Sequence, residues 1–89
     1  METLALKRKY QGQSYYEVQC ETHIITVVKT PLQSWELIIE EKTHLVVDSF
    51  SNDKNLVQMT EQLFQCFTDT KKQAVQIGTN WVKNNFIDC

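Results

Sequence analysis

Residues 34–50, SWELIIEEKTHLVVDSF, are the stretch on which the reading of this chain turns. Two apolar arms, residues 35–40 and 44–50, flank the polar tip Glu41-Lys42-Thr43. β-Branched and aromatic residues dominate both arms, and a short polar break between two such runs predicts a β-hairpin. Along the first arm Trp35, Leu37 and Ile39 share one face, and Glu36, Ile38 and Glu40 share the other. On the return arm Leu45 and Val47 alternate with Val46, Asp48 and Phe50. Alternation with one clearly apolar face predicts an antiparallel sheet covered by helices on that side. Trp35, Leu37, Ile39, Leu45 and Val47 are then the core residues of the hairpin.

Strand character extends upstream. Residues 15–20 alternate, with Tyr16, Val18 and Cys20 on one face. Residues 24–30 carry β-branched side chains at almost every position, as a central strand does. Gly12, within Tyr10-Gln-Gly-Gln-Ser-Tyr15, can supply the positive φ of a hairpin tip, so residues 1–10 are read as a further strand. Their composition also suits a helix. Pro31 has no N–H to give a ladder, so pairing should stop near Thr30.

Downstream the period changes. Ser51-Asn52-Asp53 resembles a helix start, and Leu56, Met59, Leu63 and Phe67 recur at helical spacing, predicting a first helix from Asn55. Thr70 followed by Gln73 is a capping-box pattern that opens a second helix over 71–86. Its predicted inward face holds Ala74, Ile77, Gly78, Trp81 and Val82. A glycine in mid-helix costs about 1 kcal/mol against Ala, which implies close approach of a neighbouring backbone at Gly78. Strands followed by helices are the α+β pattern. The expectation is one α+β domain over residues 1–89, with an antiparallel β-sheet of three to five strands followed by two C-terminal helices on one face.

With 89 residues, 42% hydrophobic and 22% charged, the chain has enough apolar material for a single core. The net charge of −2 gives no electrostatic reason to bind nucleic acid or an acidic membrane. No apolar run approaches the roughly 20 residues of a membrane span. METLALKRKY lacks the basic-then-apolar order of a secretory signal. Cys20, Cys66 and Cys89 are odd in number and widely spaced, which reads as reduced thiols and a cytoplasmic protein.

Chemistry-bearing sets are sparse. Cys20 and His23 form one close pair, but zinc sites use two such pairs, and His44, Cys66 and Cys89 are scattered, so no metal is expected. No nucleophile–base motif or glycine-rich phosphate loop occurs, and Glu40-Glu41 are expected to be solvent-exposed. Neither catalytic activity nor a cofactor is therefore expected.

The second sheet face retains more apolar residues than solvation calls for: Ile24, Val28, Ile38, Val46 and Phe50. Large exposed apolar patches mark association surfaces. The expected function is a non-catalytic protein-association or regulatory module acting as a homodimer through these residues, unless the N-terminal segment covers them. The alternative is a nucleic-acid-binding accessory domain using an aromatic and basic patch of Lys7, Arg8, Lys9, Tyr10 and Tyr15.

Overall fold

The computed structural model describes residues 3–47 and 56–89. Among these residues five strands lie in sequence order in one antiparallel sheet: β1 (Lys7–Arg8), β2 (Tyr15–Gln19), β3 (His23–Lys29), β4 (Trp35–Val47) and β5 (Leu56–Thr68). One helix, α1 (Lys71–Asn84), follows and packs on the sheet against β3, β4 and β5. The α+β class and the antiparallel sheet therefore hold, with one helix instead of two.

The turns form where the local chemistry requires them. Gly12 takes φ +79° at the tip between β1 and β2, closed by Lys9 N–H donating to the Tyr15 carbonyl at 2.8 Å. β3 stops at Lys29, two residues before Pro31. The return is closed by Thr30 N–H on the Ser34 carbonyl at 2.9 Å.

The predicted hairpin tip does not form. The polar tip Glu41-Lys42-Thr43 is not a turn: β4 runs straight through it. None of the three is a residue that enters positive φ readily, as a two-residue hairpin turn demands. Their polarity instead serves the end of the sheet. Glu41 pairs with His23 on β3, and Lys42 donates its N–H to the Thr22 carbonyl and its Nζ to the Cys20 carbonyl, both at 2.9 Å.

The predicted first helix is strand β5, which pairs with β4 from Trp35↔Thr68 to Val47↔Leu56. Its helical spacing has a structural origin. The register passes from Ile39↔Phe64 to Glu40↔Gln62, leaving Leu63 as an extra residue in β5. A bulge of this kind shifts the two-residue alternation by one, so apolar positions at 56, 59, 63 and 67 mimic a period near four. Ser51-Asn52-Asp53 and Phe50 lie outside the described residues.

The core lies between α1 and the inward sheet face. Ile25, Val27, Leu37, Ile39, Ala74 and Val82 are fully buried there, joined by Leu4 and Ile87. Trp35 packs at its margin, as do Phe64 and Cys66 from β5. Leu45 and Val47, predicted as core, are exposed. Two causes combine: the register shift between Lys42 and Leu45 sets two residues of β4 against one of β5 and turns Leu45 and Val47 to the outward face, and α1 is short. A 14-residue helix spans about 21 Å and a 13-residue strand about 43 Å, so α1 cannot cover all of β4.

Both ends of α1 are fastened. Thr70 accepts from Gln73 N–H at 3.1 Å while Gln73 Oε1 accepts from Thr70 N–H at 3.2 Å, completing the predicted capping box. At the other end Phe86 N–H reaches the Lys83 carbonyl and Ile87 N–H the Val82 carbonyl, a Schellman pair with Phe86 at φ +56°. Phe86 is left in solvent, and Ile77 is also more exposed than its predicted inward position implies. The same turn delivers Ile87 to the core and Cys89 to Cys20, with which it forms a disulfide. The three expected free thiols are thus corrected to one, Cys66. The cysteine count loses its force as an argument for a reducing compartment.

Gly78 sits where α1 comes nearest the sheet. A Cβ there would lie 3.1 Å from Leu37 Cδ1 and 3.5 Å from Leu4 Cδ1, so the close neighbour is a side chain and not a backbone. Leu37 is fully buried and has no room to retreat. Gly78→Val is expected to destabilise by about 2 kcal/mol, because overpacking outweighs the gain in helix propensity. Urea unfolding checks this through a lower midpoint at unchanged slope.

Candidate association surface

Leu4 is buried against the helix side, with its N–H donating to Thr79 Oγ1 at 3.3 Å. The stretch before β1 thus contributes to the core layer through Leu4.

On the outward face the candidate residues divide. Ile24, Val28 and Ile38 are half-buried, and Val46 is exposed. Phe50 is outside the described residues. Between Ile24 and Val28, Thr26 is only 2% exposed, set between its cross-strand neighbours Glu17 and Ile38. Long polar side chains interlock on this face. Gln19 donates to Glu17, Gln65 to Glu36, and Thr60 to Glu40 at 2.6 Å. A contiguous apolar patch therefore does not develop over β2 and β3.

Exposed apolar residues gather instead on the far part of β4 and β5, on both faces: Leu45, Val47 and Leu56 on one, Val46 and Val57 on the other. β3 begins at His23, opposite Glu41, so beyond that point β4 and β5 continue as a two-stranded ribbon. There Leu45 is 56% exposed, Val47 55% and Leu56 63%, with Val46, Val57 and Met59 also in solvent. The ribbon makes the molecule long: its radius of gyration is 14.3 Å, against about 12 Å for a compact domain of this size. Leu63 and Phe67 extend the exposed apolar series along β5 towards α1, where Phe67 and Ile77 line a shallow cleft. β5 itself is a 13-residue edge strand with a single charged residue, Glu61. Sequence reasoning missed this series because it assigned Leu56, Met59, Leu63 and Phe67 to a helix stripe facing the core.

The basic and aromatic residues of the alternative site are split between the two faces. Lys7 pairs with Glu17 and Arg8 with Tyr16, so neighbouring cations point to opposite sides of β1. Lys9 Nζ lies 3.2 Å from Glu17, and this hydrogen bond holds its pKa above the ordinary lysine value. Tyr10 and Tyr15 meet edge to face at 5.4 Å, so the two rings do not offer parallel stacking faces. Arg8 Nη2 donates to Tyr16 Oη at 2.9 Å, which pulls the Tyr16 phenol below its ordinary pKa. Lys71 stands 3.5 Å above the centre of the same ring.

The residues weighed for metal and acid–base chemistry are dispersed. Cys20 is spent in the disulfide, and His23 Nδ1 lies 2.6 Å from Thr22 Oγ1, with Nε2 3.6 Å from Glu41. Cys66 faces the core opposite Leu37, and burial pushes its thiol pKa up, away from the thiolate a nucleophile needs. Among the described residues no three His, Cys, Asp or Glu side chains converge as a metal site would require. No helix of the described residues is long and apolar enough to cross a membrane.

Comparison with models of known protein families, with curated proteins and with solved structures finds no match for this chain.

Proposed function

We propose that this protein is a non-catalytic association or regulatory module that works as a homodimer, through its β4–β5 ribbon and not through the centre of the outward sheet face. One observation carries the reading. Leu45, Val46, Val47, Leu56, Val57 and Met59 are exposed together on one ribbon that α1 does not reach. Isolated surface leucines need no explanation, but exposed apolar residues on both faces of a projecting ribbon do. A two-stranded ribbon is marginal alone in water, so burial against another surface would also stabilise it.

Sedimentation equilibrium on Leu45→Lys and Leu56→Lys tests the proposal. Both residues lie outside the core, so thermal stability at low concentration should change little. Self-association should weaken about tenfold or more, since charge is placed in an apolar contact. A wild-type chain that stays monomeric up to near-millimolar concentration would remove the reading.

A further inference from the structure

The two edges of the sheet are treated very differently. One edge is β1, two residues long and cationic at both positions, Lys7 and Arg8. Short length and lysine are the ordinary protections of a sheet edge. The other edge is β5, thirteen residues long, LVQMTEQLFQCFT, with neither proline nor lysine nor arginine. It extends along nearly the whole molecule, whose longest dimension is 42 Å. Half of its backbone N–H and C=O groups face away from β4, and they are strong, obligatory hydrogen-bonding groups.

We infer that β5 pairs antiparallel with β5 of a second copy, so that two five-stranded sheets join into one of ten strands. This rests on the proposal that the protein self-associates, and specifies where. A strand related to itself by a two-fold axis is antiparallel to its copy, so one contact satisfies both long edges and closes the assembly. Pairing β5 with β1 instead would leave most of β5 open and would propagate as a filament, and β1 is too short to support it. Pairing on the two sides of the Leu63 bulge forms roughly five to ten backbone hydrogen bonds, within the range of an ordinary protein–protein interface. Leu56, Val57, Met59, Leu63 and Phe67 flank this edge and are exposed, so apolar contacts accompany the ladder.

The geometry has a centre. In antiparallel pairing of residues 56–68 the midpoint is Gln62, beside the Leu63 bulge that interrupts the ladder, and its side chain then lies next to that of its own copy. Like charges directly opposite across a ladder are destabilising and opposite charges stabilising. Gln62 is exposed, so its substitution leaves the monomer fold intact.

The test is a charge exchange read by sedimentation. Gln62→Lys alone and Gln62→Glu alone should each self-associate about fivefold more weakly than wild type. An equimolar mixture of the two should recover wild-type affinity as a heterodimer. The pair Gln11→Lys and Gln13→Lys, in the exposed β1–β2 turn, is a charge control and should change nothing. A monomeric wild type overturns both this inference and the proposal beneath it. A dimer indifferent to residue 62, or one whose mixture gains nothing, overturns β5 pairing and leaves self-association standing. Open-ended aggregation instead of a dimer overturns the closed two-fold.

Discussion

Reduction of the Cys20–Cys89 disulfide is expected to lower the midpoint of thermal unfolding by about 15–30 °C. The two cysteines are 69 positions apart in a chain of 89, so the bond closes most of the chain into a loop. By chain entropy, closing a loop of that length stabilises the folded state by about 4 kcal/mol. The Cα atoms are 4.6 Å apart, inside the usual range for disulfides, and Ile87 already anchors the segment in the core. Cys89→Ser should therefore show the same loss without reductant, and reductant should then add nothing further. A reductant effect that survives Cys89→Ser would mean that some other pairing is responsible.

Leu37→Ala is expected to cost about 3 kcal/mol, within the range for truncating a fully buried leucine. Leu37 stands at the centre of the sandwich. It is fully buried on β4, lies opposite Val27 and Cys66 in the ladder, and meets α1 at Gly78. The cavity cannot be filled from the helix side, because the nearest helical position is a glycine. The corresponding drop in unfolding midpoint is about 12–24 °C. Ile38→Ala, one residue along and half-buried on the outward face, should cost much less. Equal losses at positions 37 and 38 would contradict the assignment of the two faces.

Residues that act locally were legible in the sequence. Gly12, Pro31 and the Thr70–Gln73 pair each impose a backbone conformation by their own chemistry, and each does so where expected. Leu37, Ile39, Ile25 and Val27 declare their face by alternation. What was not legible depends on partners distant in the chain. β5 reads as a helix because its bulge at Leu63 disguises the alternation, and only the free edge of β4 makes it a strand. Glu41-Lys42-Thr43 reads as a turn because its polarity serves groups at Cys20 and Thr22. The disulfide depends on the Schellman turn at Phe86, a residue that rarely adopts positive φ and so gives no warning.

The exposed apolar ribbon was legible in part for the same reason. Val46 is exposed, and so are Leu45 and Val47, which alternation placed in the core. Alternation tells which residues share a face. It does not tell how far the covering helix reaches, and here the strands outrun it. The apolar surplus is real but lies further along β4 and β5 than Ile24, Val28 and Ile38 suggested.

Hydrogen exchange of the β5 amides, followed from low micromolar to near-millimolar protein, tests the central claim most directly. If β5 pairs with its own copy, backbone amides within residues 56–68 gain protection as concentration rises, while the amides of β1 and the β1–β2 turn do not. Exchange across residues 56–68 that is independent of concentration, in a protein whose mass shows it to be dimeric, would contradict it.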